Sequence, residues 1–182
     1  LWYVLQLQAP GLNVMGGSLP GSPGVIIGFN DSIAWGVTNA RRDVKDWYRI
    51  EFRNDAREEY RYGDQWLKVQ RRIETSKVRD ADPYVDTVLY THHGPVIYDA
   101  TFPSEGKAQY YAQRWTGHDP SKEVMSLYHH NHGKNLADFK KALRNYVGPA
   151  QNFVFASTKG NIALQIGGQF PLKWKAQGRF LM

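Results

Sequence analysis

The 182-residue sequence contains no cysteine. That excludes a disulfide framework, a thiol nucleophile and any cysteine-ligated zinc or iron–sulfur cluster. No apolar run approaches the roughly 18 residues that a bilayer-spanning helix needs, and no charged start is followed by an apolar signal core. Internal repeats, low-complexity tracts and linkers are also missing. Charge of one sign is not scarce: 23 Lys+Arg against 17 Asp+Glu leave a net +6. A surplus of that size is common on globular domains and selects no partner.

Aromatic residues are plentiful at 14%, and they occur with 17 Gly and 9 Pro. This mixture favours short strands and many turns over helical bundles. The length suits about one domain, and 42% hydrophobic content suffices for a core, so residues 1–182 are expected to form a single, partial domain. The sequence opens inside a strand-like run, Leu1-Trp2-Tyr3-Val4-Leu5, and stops at Arg179-Phe180-Leu181-Met182 without a terminating signal. Both ends lead us to expect an internal piece of a longer protein.

Short apolar runs bounded by turn formers predict strands at 2–8, 13–15, 25–29, 33–38 and 46–52. Gly16 to Gly24 reads as a turn. Alternation predicts half-exposed antiparallel strands at 60–62, 66–69 and 85–90, with a hairpin turn at Gly63-Asp64, and another strand at 110–115. Ser121 can start a helix through about Asn131, with Val124, Leu127 and Tyr128 inward. Asn135 can cap a second, whose Leu136, Phe139, Leu143, Tyr146 and Val147 fall at helical spacing before Gly148-Pro149. Residues 152–156 and 162–166 read as a hairpin around Lys159-Gly160-Asn161. The fold class is α+β, mostly antiparallel β with a few helices.

His92-His93 and His129-His130-His132 invite a metal reading. Strand neighbours point to opposite faces, however, and positions 129 and 130 of a helix diverge by about 100°. Surface or hydrogen-bonded histidines are the better expectation. Basic and aromatic residues alternate from Arg57 to Arg79 as a nucleic-acid groove requires, but a solvated sheet has the same pattern, and no RNP-like motif, zinc finger or helix-turn-helix supports the sharper reading. The glycines at 16–24 are not followed by GxxxxGK[ST], so a phosphate loop is not expected.

More specific is a series of blocks: Ser18-Leu19-Pro20-Gly21-Ser22-Pro23-Gly24, Val25-Ile26-Ile27-Gly28-Phe29-Asn30, Ile33-Ala34-Trp35-Gly36-Val37-Thr38-Asn39 and Asp43-Val44-Lys45-Asp46-Trp47-Tyr48. Leu12-Asn13-Val14, Thr91-His92-His93-Gly94-Pro95-Val96-Ile97, Arg114-Trp115-Thr116, Pro149-Ala150-Gln151-Asn152-Phe153-Val154-Phe155-Ala156 and Gly160-Asn161-Ile162 complete the series. Taken in order across nearly the whole chain, they resemble the penicillin acylase (penicillin amidase) family of N-terminal-nucleophile hydrolases, as an internal segment of the β subunit.

The resemblance implies part of an αββα sandwich, and a parent enzyme that hydrolyses linear N-acyl amides through an acyl-enzyme on an N-terminal serine upstream of residue 1. This segment alone is then expected to be inactive. Its partners would be a small N-acyl amide substrate and the remaining α and β portions of the precursor, with no nucleic acid and no membrane span, in the periplasm or outside the cell. By the same resemblance the oxyanion donors fall on the Asn39 backbone N–H and the Asn152 side-chain amide, a donor with no proton to lose at neutral pH. Asp43, the Lys45 carbonyl and Asp46 match a segment that commonly helps hold a structural calcium ion, and two carboxylates around a main-chain oxygen are suitable hard ligands. No organic cofactor is implied. Three departures stand out: Gly28-Phe29-Asn30 replaces a frequent Gly-His-Asn, Gln8 replaces a frequent His, and Lys173 stands where an arginine is common. The runner-up from another class is a noncatalytic module whose aromatic and basic residues bind carbohydrate or nucleic acid.

Overall fold

The computed structural model describes residues 1–99 and 109–173. In chain order the elements are β1 (Tyr3–Ala9), β2 (Leu12–Ser18), β3 (Ile27–Asn30), β4 (Ile33–Asn39), β5 (Lys45–Arg49), β6 (Glu59–Tyr62), β7 (Gln65–Lys68), β8 (Gln70–Ser76), β9 (Tyr84–Thr91), β10 (Gly94–Tyr98), β11 (Tyr111–Trp115), a single 3-10 turn (Thr116–His118), α1 (Glu123–His132), α2 (Leu136–Leu143), β12 (Gln151–Ser157) and β13 (Ile162–Gly167). The strand and helix content matches the α+β expectation. Contacts divide the chain into two compact units, one of residues 1–44 and 119–171, the other of residues 45–118 with the segment from Leu172.

The first unit is a six-stranded antiparallel sheet in the order β1-β2-β3-β4-β12-β13, with α1 and α2. The strands from its two chain segments meet where β4 pairs with β12, from Asn39 opposite Gln151 to Ile33 opposite Ser157. Pro10-Gly11 turns β1 into β2, with Gly11 at φ +78°, a conformation that glycine adopts without a Cβ clash. Contrary to the turn expected from Gly16 onward, β2 continues to Ser18. Its glycines serve close approach: a Cβ on Gly16 would stand 2.1 Å from the Ile27 carbonyl oxygen, and one on Gly28 2.2 Å from that of Met15. The core comprises Val14, Val25, Ile33, Trp35, Phe139, Leu143, Phe153 and Phe155.

α2 is capped as its sequence indicates, with Asn135 Oδ1 accepting from the Asp138 N–H at 3.0 Å. It ends at Leu143, earlier than the apolar spacing suggests. The Glu123 carboxylate accepts the N–H groups of Val147 and Gly148 at 3.0 and 3.1 Å, which gives these donors an alternative to helical carbonyls. α1 corrects the expected facing. Val124 and Tyr128 are exposed, while Ser126, His130 and Asn131 are buried. Each polar residue on that inner face has a local cause: Ser126 Oγ donates to the Ala142 carbonyl of α2 at 2.8 Å, Asn131 binds the Val25 peptide, and the His130 ring stacks between Trp35 and Phe153.

The second unit has a five-stranded antiparallel sheet in the order β5-β11-β10-β9-β8 and the hairpin β6-β7, turned at Gly63-Asp64 as expected. Strand β8 is not evident in the sequence because Arg71, Arg72 and Glu74 interrupt any apolar alternation. Ile50, Tyr60, Leu89, Val96 and Ala112 form its core.

Candidate active site

Asn39 and Asn152, widely separated in sequence, come together in the first unit. Asn39 ends β4, and Asn152 sits on β12 opposite Thr38. The Ala40 N–H donates to the Ala150 carbonyl at 3.2 Å, so Ala40 and Ala150 are a hydrogen-bonded pair of the antiparallel ladder. Such pairs alternate with non-bonded ones, which makes Asn39 opposite Gln151 a non-bonded pair and turns the N–H and C=O of Asn39 away from β12. On that side β3 is in register with β4 only at Trp35 and Ala34, so no strand of the described residues pairs with Asn39 there.

The Asn152 side chain reaches over to β4. Its Nδ2 donates to Thr38 Oγ1 at 3.2 Å and makes a longer contact of 3.4 Å with the Asn39 carbonyl oxygen, one of the groups that face away from β12. One main-chain donor and one side-chain donor therefore lie at a single strand end, with Asn39 exposed and Asn152 half-buried. Asn39 Oδ1 accepts from the Arg41 N–H at 2.7 Å, closing an Asx turn in which Arg41 takes φ +48°. Thr38 was not singled out by the sequence. Its place beside Asn39 and its register with Asn152 give it a role. A cleft of about 370 Å³ in this unit lies at the opposite end of β4, lined by residues including Asn13, Asn30, Asp31 and Lys134, and includes neither Asn39 nor Asn152.

Of the expected calcium residues, Asp46 is engaged in an ion pair. Asp43 belongs to the first unit, and Lys45 and Asp46 open the second on β5. Lys45 extends its ammonium over the Trp115 ring at 5.3 Å. Asp46 Oδ1 accepts from Lys173 Nζ at 2.9 Å, with only 11% and 14% of the two side chains exposed. A resident ammonium on that oxygen competes with a divalent cation there. The Asp46 contact also gives Lys173, the departure from the family's arginine, a structural partner.

Among the histidines, His92 is hydrogen-bonded as expected, whereas His130 departs from expectation. His92 and His93 form the β9–β10 turn, and their rings lie together, centroids 3.7 Å apart. Burial, with a smaller effect of His92, pushes the His93 pKa down to about 4. The Tyr60 hydroxyl pairs with His92 Nδ1 at 2.7 Å and accepts from the His92 N–H at 3.0 Å. His130 is fully buried and neither ring nitrogen has a hydrogen-bond partner, unlike the surface or bonded histidine the sequence suggests. Burial, reinforced by His129, lowers its pKa to about 4. The Ser126 carbonyl offsets this slightly without making a well-formed bond. Arginines of the second unit lie over aromatic rings, as Arg53 does over Trp66 at 5.7 Å, but Glu59, Glu51 and Glu74 pair with Arg53, Arg61 and Arg72. No helix of the described residues is long and apolar enough to cross a membrane.

Comparison with known structures defines the class: the chain has the α+β fold of an N-terminal-nucleophile hydrolase. It superposes on a thermostable penicillin G acylase from Alcaligenes faecalis with a TM-score of 0.75 at 26% identity, over 92% of this chain and 30% of that one. The penicillin amidase family model matches residues 1–182, and the chain belongs to that family. It is 27% identical to the acyl-homoserine lactone acylase QuiP of Pseudomonas fluorescens over 97% of this chain and 22% of that protein. It is 26% identical to the penicillin G acylase of Escherichia coli over 93% and 20%. The chain thus spans about a fifth of the length of these relatives.

Proposed function

We propose that residues 1–182 supply the oxyanion hole of an amide hydrolase, a penicillin acylase-like enzyme that cleaves the C–N bond of a linear N-acyl amide through an acyl-enzyme. The observation that carries this reading is that the Asn152 amide lies 3.4 Å from the Asn39 carbonyl oxygen at the end of β4, beside the main-chain N–H of the same residue. Membership of the penicillin amidase family and similarity to acylases support it.

In this reading the nucleophile is an N-terminal serine outside residues 1–182. Its α-amine, with an ordinary pKa near 8, takes the hydroxyl proton as the oxygen attacks the amide carbonyl carbon. The carbonyl electron pair moves onto oxygen, and that oxyanion is met by the Asn39 N–H and one Asn152 Nδ2–H. Neither donor titrates near neutral pH, and fixed donors of this kind cost no reorganisation as charge develops. The tetrahedral intermediate collapses, the C–N bond breaks, and the leaving amine takes the proton held by the α-ammonium. Water then attacks the ester by the same route to release the acid. The rest of the precursor would complete the pocket, and the enzyme would work in the periplasm or outside the cell.

The test is to incubate the mature, full-length protein with an N-acyl homoserine lactone and, separately, with penicillin G, and to measure release of free amine, with hydroxylamine present to capture an acyl-enzyme. Amine release with acyl hydroxamate formation is expected. Release from neither substrate overturns the proposal.

A further inference from the structure

We propose that Thr38 is a positioning residue for the oxyanion hole, its hydroxyl anchoring the Asn152 amide beside the Asn39 carbonyl, which selects the Nδ2 end. This rests on the assignment of Asn152 as an oxyanion donor. A carboxamide has a donor end and an acceptor end of nearly equal size. If it rotates by a half turn, Oδ1 replaces Nδ2 in front of the developing negative charge, and a stabilising dipole becomes a repulsive one. Something must distinguish the two ends.

The Asn39 carbonyl makes that distinction, and Thr38 holds the amide within its reach. Thr38 lies directly opposite Asn152 in the β4–β12 ladder, so their side chains share one face of the sheet. Asn152 Nδ2 donates to Thr38 Oγ1 at 3.2 Å and reaches the Asn39 carbonyl at 3.4 Å. A carbonyl only accepts hydrogen bonds, so the Asn39 oxygen favours the Nδ2 end. At 3.4 Å that contact is the longer of the two, which leaves Thr38 as the nearer anchor. Nδ2 carries two hydrogens: Thr38 takes one, and the oxyanion would take the other in place of the longer Asn39 carbonyl contact. Thr38 is itself exposed, outside the buried core, and its β-branched side chain is stiff at χ1, so its oxygen is presented at little entropic cost.

The experiment uses the mature full-length enzyme with Thr38→Val, Thr38→Ser and Asn152→Ala, and measures kcat and KM on an N-acyl amide. Valine keeps the shape and strand preference of threonine but cannot accept a hydrogen bond. Thr38→Val is expected to lower kcat by about tenfold to a hundredfold, the scale of a misplaced catalytic group, with KM nearly unchanged. Thr38→Ser should retain most of kcat, and Thr38→Val should have little further effect in an Asn152→Ala background. A residue that merely stabilised β4 would leave kcat of the folded Thr38→Val enzyme unchanged. If Asn152→Ala lowers kcat and Thr38→Val does not, the positioning role falls while the oxyanion assignment stands. If Thr38→Ser loses as much kcat as Thr38→Val, the hydroxyl is not the cause and the role also falls. If Asn152→Ala leaves kcat unchanged, the oxyanion assignment falls and takes the role of Thr38 with it.

Discussion

The Asn131 side chain pairs with the Val25 peptide as a neighbouring strand would. Its Oδ1 accepts from the Val25 N–H at 2.9 Å, and its Nδ2 donates to the Val25 carbonyl at 2.8 Å. Val25 is fully buried, so removing the amide strands two main-chain groups away from water. Asn131→Ala should destabilise the protein by about 2–6 kcal/mol, from roughly 1–3 kcal/mol for each of the two unsatisfied groups. Urea unfolding checks this. A change below about 0.5 kcal/mol, the usual effect of a surface substitution, would show that water replaces the pairing.

Gly16→Ala and Gly28→Ala should be far more harmful than Gly11→Ala. At the first two positions a new Cβ meets main-chain oxygen at 2.1 and 2.2 Å, and neither strand can move without its neighbours. A cost of about 3 kcal/mol or more is expected at each. Gly11 has open space around it and φ +78°, so alanine there should cost only the left-handed penalty of about 1–2 kcal/mol. Thermal unfolding of the three variants tests the order, and equal losses would contradict the close-approach account.

His130 should make the protein acid-sensitive. Its pKa is about 4 when folded against an ordinary 6.5, so between these values the unfolded chain binds more protons and stability rises with pH. The stabilisation is complete above about pH 6.5 and is lost as pH falls toward 4, with a scale of about 3 kcal/mol for this group. Titration of His93 adds to the loss in the same window and the same direction. His130→Leu should flatten the dependence of Tm on pH between 4 and 6.5. An unaltered slope would remove His130 as its source.

Much of this architecture was legible in the sequence, because apolar runs bounded by Gly, Pro and Asn mark most strands and the Asn135 cap marks α2. The glycines of β2 resembled a turn because their reason is contact with β3, a strand not yet placed when Gly16 is read. The inner face of α1 was misread for a related cause. Ser126, His130 and Asn131 face inward through partners on α2, β3, β4 and β12 or just before β3, and no local hydropathy pattern carries that information. Asn39 and Asn152 were reached through family blocks. Their adjacency follows from the pairing of β4 with β12, which the blocks alone do not state.

Breaking the Asp46–Lys173 pair should cost up to about 3–5 kcal/mol, since both charges are largely buried. Lys173→Met and Asp46→Ala should each lower Tm, and Lys173→Arg should preserve most of it. Because the ammonium already occupies Asp46 Oδ1, chelation with EDTA or addition of Ca²⁺ should leave Tm unchanged. A Tm that falls on chelation and recovers with Ca²⁺, but not in Asp46→Ala, would instead make Asp46 a metal ligand.

The most direct measurement is kcat of the Asn152→Ala variant in the mature full-length protein, on whichever N-acyl amide the unmodified enzyme hydrolyses. Loss of one oxyanion donor should lower kcat by about 10²–10³, with Tm and KM close to those of the parent, because the Asn152 side chain is half-buried near the start of β12 and not part of the core. A folded Asn152→Ala enzyme with undiminished kcat would contradict the account.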